Sequence, residues 1–316
     1  MKNNLVSILV PAYNTDQYIE NCLNSVIKQS YKNIEIICVD DGSTDLTAEI
    51  IKIYAKKDSR IKLYQQKNLG VGPACQKLLS KSRGKYIAFI DSDDIIDRYY
   101  VENLYNAASK TSADIVACKI IKKATDKYNQ SNKVNHVRVF NRQHALKELI
   151  YMRKTSTGLA CKLFDKKLFN NFTFPKSNYS NDFYSSWHAF TKANSVAFLN
   201  YRGYHYIYNN NSVTKGRIFH NERLISIQYA KDNLHYVEKK IPKLIKACRN
   251  RIAIEAIVIL RQIDYKINSY IFQECERCIL NNRKTMILDK NIRLKTKAIL
   301  LLSYFIKFKY LYKRFA

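Results

Sequence analysis

Short apolar runs alternate with segments of helical periodicity through the first 118 residues, and this alternation constrains the fold more than any other feature. The runs that we predict to be buried strands are Val6–Val10, Ile34–Val39, Ile61–Tyr64, Tyr86–Ile90 and Asp114–Cys118. Between them, apolar residues recur at the i, i+3, i+4 and i+7 spacing of amphipathic helices, most clearly at Ile19, Cys22, Leu23, Val26 and Ile27. Strands that alternate with helices predict an α/β fold with a mostly parallel, doubly wound sheet. Pro11 is expected to end the first strand.

Polar loops follow three of these strands. They span residues 40–45 (DDGSTD), 68–72 (NLGVG) and 91–94 (DSDD). Parallel sheets bind ligands outside the carboxyl ends of their strands, near the point where the strand order switches. We therefore expect the three loops to gather at one edge of the sheet and to form a ligand site there.

Residues 91–94, called the acidic loop below, place three carboxylates within four positions. Neighbouring carboxylates repel each other unless a cation or a proton lies between them. Their oxygens suit Mn²⁺ or Mg²⁺, which binds one or two carboxylates together with water and phosphate oxygens. An alternative interpretation is the N-terminus of a helix, where Asp side chains interact favourably with free N–H groups. A DxD pair alone does not separate these two interpretations.

Four motifs occur in order along the chain: PAYN at 11–14, DDGSTD at 40–45, NLGVGPACQ at 68–76 and DSDD at 91–94. In these motifs, the chain resembles the family 2 glycosyltransferases of bacterial surface-polysaccharide type, over residues 5–215. The resemblance implies a GT-A fold, which is a Rossmann-like, mostly parallel sheet flanked by helices. It also implies a metal-dependent, inverting transfer of a sugar from a nucleotide sugar to a hydroxyl group of a growing capsule, exopolysaccharide, lipopolysaccharide or teichoic acid.

The resemblance implies a role for each donor-side residue. The nucleotide-sugar-binding residues would be Pro11, Ala12, Tyr13, Asn14, Asp41, Asn68, Gly70, Asp91, Ser92 and Asp93. Asp41 matches the carboxylate that binds uracil, which makes a UDP-sugar the implied donor. Asp91 and Asp93 match the DxD pair that holds Mn²⁺ or Mg²⁺ against the donor diphosphate. There the metal would neutralise the charge that builds on the departing nucleotide.

Inversion needs a carboxylate that removes the proton from the acceptor hydroxyl. The resemblance implies that this base is Asp182 in SNYSNDFYSSW, and Asp182 is the only carboxylate between Asp165 and Glu222. The alternative interpretation is that Asn181 or Asp182 caps a helix. On the acceptor or diphosphate side, the resemblance implies contributions from Lys162, Asn181, Tyr206 and Ser212.

The sequence departs from the family pattern at three places. Cys75 and Gln76 stand where the family usually has Arg and Asn, Asn181 replaces a Glu, and residues 207–209 lack Arg. Arg makes bidentate contacts with phosphate, so its loss weakens the expected grip on the diphosphate. Three basic residues could compensate: Lys77, His205 and Lys215. The competing hypothesis is a catalytically weak or inactive GT-A protein that binds a sugar nucleotide or a glycan.

The charge of the chain narrows the choice of partners. Lys and Arg number 54 against 26 Asp and Glu, which gives a formal net charge of +28. Such a balance favours an anionic partner, whether nucleic acid, a membrane surface or a phosphorylated substrate. The sequence carries no recognised nucleic-acid-binding motif, so we do not expect a nucleic acid. The segment GVGPAC at 70–75 lacks the third glycine of a dinucleotide fingerprint, so NAD is not expected either.

Residues 290–316 combine apolar and basic side chains. They hold eight Lys or Arg and no Asp or Glu around the run AILLLSYFIKFKYLY. A helix over Ile292–Leu311 would lie in the plane of an anionic membrane surface, with Lys and Arg at the headgroups. The alternative is an ordinary helix packed on the protein, with a solvated basic face. The first interpretation fits a lipid-linked glycan acceptor at the inner face of the cytoplasmic membrane.

The domain prediction follows from these patterns. Residues 1–215 would form the glycosyltransferase domain, with a nucleotide-sugar-binding half at 1–110 and an acceptor-side half at 111–215. Residues 216–316 would form a basic helical region. Within the less regular middle, we predict a strand at Val134–Phe140, a helix at Asn141–Met152 and a strand-like segment at Tyr201–Tyr208.

Three further features bear on location and chemistry. The N-terminal apolar run is too short for a signal peptide, and no segment reaches the ~18 apolar residues of a transmembrane helix, so a cytoplasmic protein is expected. The eight cysteines are expected to be reduced, and Cys275 and Cys278 to share a helix face without binding a metal. The QxxRW motif and the membrane helices of processive family members are missing, which favours addition of a single sugar.

Overall fold

A computed structural model describes residues 4–121, 134, 136–177, 180–208, 221–263 and 269–311 of the chain. The chain divides into two compact units, Met1–Asn210 and Asn211–Ala316. Among the described residues, none of the helices is both long and apolar enough to cross a membrane.

An eight-stranded sheet forms the centre of the first unit. Its strands are β1 (Val6–Ala12), β2 (Ile34–Asp40), β3 (Ile61–Gln65), β4 (Tyr86–Phe89), β6 (Ile115–Ala117), β8 (Val137–Asn141), β9 (Lys162–Asp165) and β10 (Ser195–Leu199). Their order is β3-β2-β1-β4-β9-β6-β10-β8. The strands β3, β2, β1 and β4 are parallel, whereas β9 is antiparallel to both of its neighbours and β8 is antiparallel to β10.

The described residues of this unit also form six α-helices and a second, small sheet. The helices are α1 (Asp16–Ile27), α2 (Thr47–Lys57), α3 (Val71–Lys81), α4 (Tyr100–Thr111), α5 (Arg142–Tyr151) and α6 (Asn181–Lys192). The small sheet joins β5 (Ile95–Ile96), β11 (Tyr204–His205) and β7 (Ile120–Ile121), with β11 in the middle. The predicted α/β class, with a mostly parallel sheet flanked by helices, is confirmed.

Apolar burial holds the sheet and helices together. All seven residues of β2 are buried, as a central parallel strand with both faces covered requires. Four of the five apolar residues predicted for α1 are fully buried: Ile19, Cys22, Leu23 and Val26. Burial of each large aliphatic side chain contributes about 1.5–3 kcal/mol to folding. The sequence periodicity therefore identified the face of α1 that packs on the sheet.

Pro11 does not end the first strand, which continues to Ala12. Odd-numbered residues of β1 direct their backbone groups toward β4, because the Leu9 carbonyl accepts from the Ile90 N–H. The pairing of β1 with β4 stops at Leu9, while the pairing with β2 continues to Ala12. An N–H at position 11 would face the side of β4, where the pairing has already stopped. Proline, which has no N–H, therefore costs the sheet no hydrogen bond at this position.

The middle of the chain is more strand-rich than its sequence predicts. β9 and β10 are four and five residues long, and β9 is buried throughout, so neither shows a polar–apolar alternation. The strand predicted at Val134–Phe140 begins at Val137, and residue 135 lies outside the described residues. Only Tyr204–His205 of the predicted segment Tyr201–Tyr208 pairs as a strand. Such short strands depend on tertiary pairing, which local sequence does not encode.

The second unit is helical, as expected. It contains α7 (Ile225–Lys240), α8 (Ile245–Leu260), α9 (Ser269–Ile287) and α10 (Leu294–Leu302). Cys275 is buried in α9, and Cys278 is half-buried on the same helix with a free thiol.

The continuous helix predicted over Ile292–Leu311 is wrong, because α10 ends at Leu302. A turn follows, and a short 3₁₀ helix at Phe308–Tyr310 places Phe308 beside Phe272, with ring centroids 6.5 Å apart. The guanidinium of Arg283 lies 3.4 Å from the centre of the Tyr304 ring and donates to the Ser303 carbonyl, which holds the turn. Residues 312–316 lie outside the described part of the chain.

Candidate active site

The loops predicted to form a site do meet at the carboxyl ends of β2, β1 and β4. The Asp41 N–H donates to the Ala12 carbonyl over 2.9 Å, which joins the ends of β1 and β2. The acidic loop begins directly after β4, on the other side of β1. The strand order switches between β1 and β4, and this is where ligands bind in open α/β sheets.

Asp41 organises the loop at residues 68–72. Its two carboxylate oxygens accept from the backbone N–H groups of Leu69 (3.0 Å) and Gly70 (2.8 Å) and from the Gln66 amide (2.7 Å). Gly70 has φ = +91° and precedes α3, a conformation that glycine adopts without strain. Asp41 is buried, and its three hydrogen bonds give it a structural role in holding this loop. A direct contact of Asp41 with uracil stays a prediction.

The PAYN motif presents an aromatic ring at the same edge. Ala12 is buried and Tyr13 is 44% exposed. Asn14 adopts a positive φ of 49°, and its side-chain oxygen accepts from the Thr44 N–H over 2.9 Å while its own N–H donates to the Ser43 hydroxyl. The motif is therefore fixed to the DDGSTD loop, with the ring of Tyr13 available for stacking.

The acidic loop concentrates negative charge in a poorly solvated place. Desolvation, reinforced by the charges of Asp94, Asp182 and Asp93, raises the pKa of Asp91 well above its usual range. Desolvation and Asp93 also raise the pKa of Asp94 to about 7, against the stabilising contacts from Ile207, Tyr204 and His205. Since the loop is followed by β5 and not by a helix, the helix N-terminus interpretation is wrong.

Residues 203–207 hold the acidic loop from one side. The sequence analysis named Tyr206 from this segment for the diphosphate side, but it did not predict the contacts of Tyr204 and Ile207. The Asp91 N–H donates to the Tyr204 hydroxyl (3.1 Å), and the Ile207 N–H donates to Asp94 Oδ1 (2.9 Å). Below them, His205 Nε2 lies 2.8 Å from Asp97 Oδ1 in a fully buried pair. The run of tyrosines at 204–208 was the only sequence clue, and it did not reveal which side chain faces the loop.

The predicted base, Asp182, lies in the first turn of α6. The helix cap is Ser180, so the interpretation of Asn181 or Asp182 as the cap residue is wrong. Asp182 is accessible to solvent, yet the protein packed around it raises its pKa by desolvation. The positive charge of Lys162 and the Leu159 N–H act in the opposite direction. Asp182 is close enough to Asp91 that its charge raises the pKa of that carboxyl.

Lys162 is fully buried at the start of β9. Its ammonium donates to the backbone carbonyls of Ser156 (3.0 Å), Gly158 and Ala160 (3.3 Å). Burial lowers the pKa of Lys162, while nearby groups including Asp182 raise it. Lys162 therefore folds the segment 156–160 around itself beside the predicted base.

Two residues that depart from the family pattern hold the segment before α6, Gln76 from α3 and Asn181 from α6 itself. The Phe174 N–H donates to the Gln76 side-chain oxygen (2.9 Å), and the Asn181 amide donates to the Pro175 carbonyl (3.0 Å). A glutamate at position 181 has no N–H to donate when ionised, which gives a physical reason for asparagine. A Cβ on Gly72 would lie 1.8 Å from the Pro175 carbonyl oxygen, so glycine is needed for this close contact.

Cys75 marks the point where the motifs converge. The thiol is buried, and desolvation together with the charges of Asp182, Asp91 and Asp41 raises its pKa well above the usual range. One side chain is thus within electrostatic reach of the base, the acidic loop and the DDGSTD loop. A raised pKa makes this cysteine a neutral, apolar group at neutral pH.

Other predicted residues have less direct placements. The Tyr206 N–H donates to the Ile121 carbonyl in the small sheet. Lys77 donates to the Gln65 carbonyl, and His205 is buried against Asp97, so neither is directed toward a diphosphate here. Ser212 and Lys215, predicted for the diphosphate side, lie outside the described residues.

The metal expected at the acidic loop has to be tested against the donors that are present. In the described part of the chain, no group of three or more His, Cys, Asp or Glu could hold a metal ion by itself. Asp91 and Asp93 offer two carboxylates whose mutual repulsion a cation would relieve. The residues fit a site that needs phosphate oxygens and water to complete it, as is usual for Mg²⁺.

Residues 7–172, just over half of the chain, match the family model described as Glycosyl transferase family 2. The chain belongs to this family. Its relatives include the glycosyltransferase GlyG of Streptococcus pneumoniae, which is 28% identical over 257 residues, covering 77% of this chain and 81% of GlyG.

Other relatives match over shorter regions. The glycosyltransferase GlyA of Streptococcus pneumoniae is 44% identical over 110 residues, which are 35% of this chain and 16% of GlyA. The putative teichuronic acid biosynthesis glycosyltransferase TuaG of Bacillus subtilis is 46% identical over 91 residues, 28% of this chain and 36% of TuaG. The chain thus matches less than half of the length of these two relatives.

Solved structures establish the GT-A fold for this family 2 member. Residues 1–349 of S. aureus TarS, solved in complex with UDP-GlcNAc, superpose with a TM-score of 0.65 at 18% identity, covering 98% of this chain and 89% of that one. The mannosyltransferase PcManGT of Pyrobaculum calidifontis, in complex with GDP-Man and Mn²⁺, gives a TM-score of 0.57 at 14% identity, covering 98% and 84%. At these identities the likeness concerns the fold alone.

Proposed function

We propose that this protein transfers one sugar from a UDP-sugar to a hydroxyl of a bacterial surface glycan, with inversion at the transferred carbon and with help from a divalent metal. The observation that supports it best is the proximity of Asp182 to Asp91, which follows the carboxyl end of β4. In an inverting transfer, the base must lie opposite the donor phosphates across the sugar that is transferred. Asp182 would be this base, and Asp91 would lie on the side of the phosphates.

The donor side would be formed by the PAYN motif, the loop at 68–72 and the acidic loop. Tyr13 would stack on the uracil ring, and Asp41 would keep the pocket in shape through Leu69 and Gly70. Asp91 and Asp93 would hold Mn²⁺ or Mg²⁺ against the diphosphate. When bound, the metal would supply Lewis-acid stabilisation of the departing UDP.

The acceptor side would be centred on Asp182. The carboxylate would accept the proton of the acceptor hydroxyl as that oxygen attacks the sugar. Desolvation raises the pKa of Asp182, which makes it a stronger base than an ordinary aspartate, while the Lys162 charge and the Leu159 N–H act against this rise. The excess of basic over acidic residues at 111–215, in the acceptor-side half, favours an acceptor that carries phosphate or other anionic groups.

A donor screen tests this proposal. Purified protein with Mn²⁺ is offered UDP-GlcNAc, UDP-glucose, UDP-galactose and GDP-mannose, and free nucleotide release is measured with and without EDTA. We expect metal-dependent release of UDP from one of the UDP-sugars by slow transfer to water, and faster release with crude polysaccharide or lipid extract as acceptor. Release of no nucleotide from any of the four would favour the competing hypothesis of a non-catalytic binding protein.

We also propose that residues 294–310 attach the protein to the anionic inner face of the cytoplasmic membrane. Apolar side chains are exposed along this segment, including Leu294 (82%), Leu301 (51%) and Phe305 (88%). Exposed lysines lie in the same segment, at 295, 307 and 309. Aromatic and aliphatic groups next to lysines are typical of a surface that inserts shallowly among acidic headgroups. A lipid-linked acceptor would be available at this surface.

Vesicle binding tests this attachment. The double variant Lys307→Glu/Lys309→Glu changes exposed residues only, and each lysine contributes roughly 1 kcal/mol near an acidic surface, so partitioning onto phosphatidylglycerol vesicles should fall at least about tenfold. The matched control Lys239→Glu/Lys240→Glu reverses two exposed lysines at the end of α7 and should bind as the parent does. Equal losses in both variants would mean that net charge, and not this segment, determines binding.

A further inference from the structure

The peptide group between Gly158 and Leu159 connects three side chains around the predicted base. Its carbonyl accepts hydrogen bonds from the Lys162 ammonium and from the Ser186 hydroxyl, the latter over 2.9 Å. Its N–H, which belongs to Leu159, hydrogen-bonds Asp182. Because a peptide unit is planar, fixing the direction of the carbonyl also fixes the direction of the N–H.

Glycine at 158 allows this peptide to lie against the carboxylate. A Cβ built on Gly158 would approach Asp182 Oδ2 to 3.3 Å, closer than most side chains tolerate. The segment around it is also held by the bonds of Lys162 to the Ser156 and Ala160 carbonyls. The buried ammonium of Lys162 therefore hydrogen-bonds the loop both before and after Gly158.

Ser186 completes the arrangement from the helix that carries the base. Asp182 and Ser186 are four residues apart in α6, so their side chains lie on the same helix face. Ser186 is fully buried, and its hydroxyl donates to the Gly158 carbonyl and not to its own helix. One turn of α6 thus contacts both ends of the same peptide group.

We infer that Lys162 and Ser186 are positioning residues that act on Asp182 through the Gly158–Leu159 peptide. A carbonyl that accepts from an ammonium is polarised, and its N–H becomes a stronger donor to the carboxylate. The N–H then sets the orientation of Asp182 and leaves its other lone pairs for the acceptor hydroxyl. This inference rests on the proposed role of Asp182 as the base, but its structural part does not depend on that role.

Amide hydrogen exchange measures the structural part without any substrate. The Leu159 N–H should be protected in the parent protein, and Ser186→Ala and Lys162→Met should each lower its protection by about tenfold or more, since one hydrogen bond to the peptide is lost. Ser186→Thr keeps the hydroxyl and should restore protection. The control Ser82→Ala removes another buried serine hydroxyl that donates to a backbone carbonyl, that of Leu79, and should leave Leu159 unchanged.

Turnover measures the functional part. The substrate is the UDP-sugar that the donor screen selects, and kcat is expressed per UDP-binding site. Ser186→Ala should lower this kcat by about 10-fold and Lys162→Met by up to about 100-fold. The KM for the donor should not change in either variant. A purely structural role would instead reduce the number of UDP-binding sites and leave kcat per site as in the parent.

The outcomes separate this inference from the proposed function. Unchanged Leu159 protection in both Ser186→Ala and Lys162→Met overturns the inference whatever the enzyme does. Lowered protection with kcat per site within twofold of the parent also overturns it, since the base then needs no positioning. By contrast, full activity of Asp182→Asn would reject the base assignment itself, while leaving the exchange result to be judged separately.

Discussion

Replacing Asp182 by asparagine is expected to lower the rate of sugar transfer by about 10²- to 10⁴-fold, the usual contribution of a general base. Asparagine keeps the size of the side chain and can still accept the Leu159 N–H, so the fold of α6 should be retained. UDP affinity should change little, because Asp182 is not among the residues proposed to hold the donor. The measurement is kcat for transfer, together with UDP affinity by calorimetry.

The matched control is Asp232→Asn, which removes a charge from an exposed position of α7 and should be fully active. The pH profile adds a second check. The base works only when deprotonated, and desolvation raises the pKa of Asp182, so activity should fall on acidification at a higher pH than for an ordinary aspartate. Transfer by Asp182→Asn at the parent rate would show that another group, or none, removes the proton.

The parallel half of the fold could be predicted because its information is local. Each strand from β1 to β4 is a short apolar run, and α1 repeats its buried residues at helical spacing, so residue order alone defines the layers. Pro11 was misplaced because its effect depends on which neighbour its N–H would face. That neighbour is β4, which ends before Pro11 is reached.

The antiparallel strands β9 and β8 and the tail carry information that is not local. β9 is fully buried and four residues long, and it pairs with β4 and β6, which precede it by many residues. In the tail, a sequence with helical periodicity stops being helical after Leu302, and Arg283 from α9 stacks on Tyr304 in the turn that follows. A periodic pattern predicts a helix but does not predict a tertiary contact that ends it.

In the candidate site too, some features could be predicted from local sequence and others depend on tertiary contacts. The motifs placed Asp41, Asp91 and Asp182 at strand or helix ends, and the structure brings them together around Cys75. The supporting contacts were not predictable, since they come from backbone groups. The Leu159 N–H and the Gly158 carbonyl are backbone groups, which every residue type has, so the sequence does not mark them. Which of the neighbouring tyrosines contacts Asp91 depends on the register of β11, and this register places Tyr204 there.

Replacing Asp93 by alanine is expected to remove metal-dependent UDP binding. Asp93 is half-buried in the acidic loop, and its charge contributes to the raised pKa values of Asp91 and Asp94. Supporting groups that only contact a metal ligand are typically worth about 10- to 100-fold in metal affinity, so loss of a ligand should cost more than about 100-fold. The remaining pair, Asp91 and Asp94, should bind protons more weakly once the neighbouring charge is gone.

The control is Asp232→Ala, which leaves the acidic loop intact and should bind UDP and metal as the parent does. Thermal unfolding of both variants should be close to that of the parent, because Asp93 is not part of the apolar core.

Calorimetric titration of UDP into the parent protein and into Asp93→Ala, with Mn²⁺ and again with EDTA, tests the central claim most directly. The account predicts UDP binding by the parent in Mn²⁺, much weaker binding in EDTA, and weak binding by Asp93→Ala in both. Equal UDP affinity in all four titrations, or no binding in any of them, would contradict the assignment of the acidic loop as the donor site.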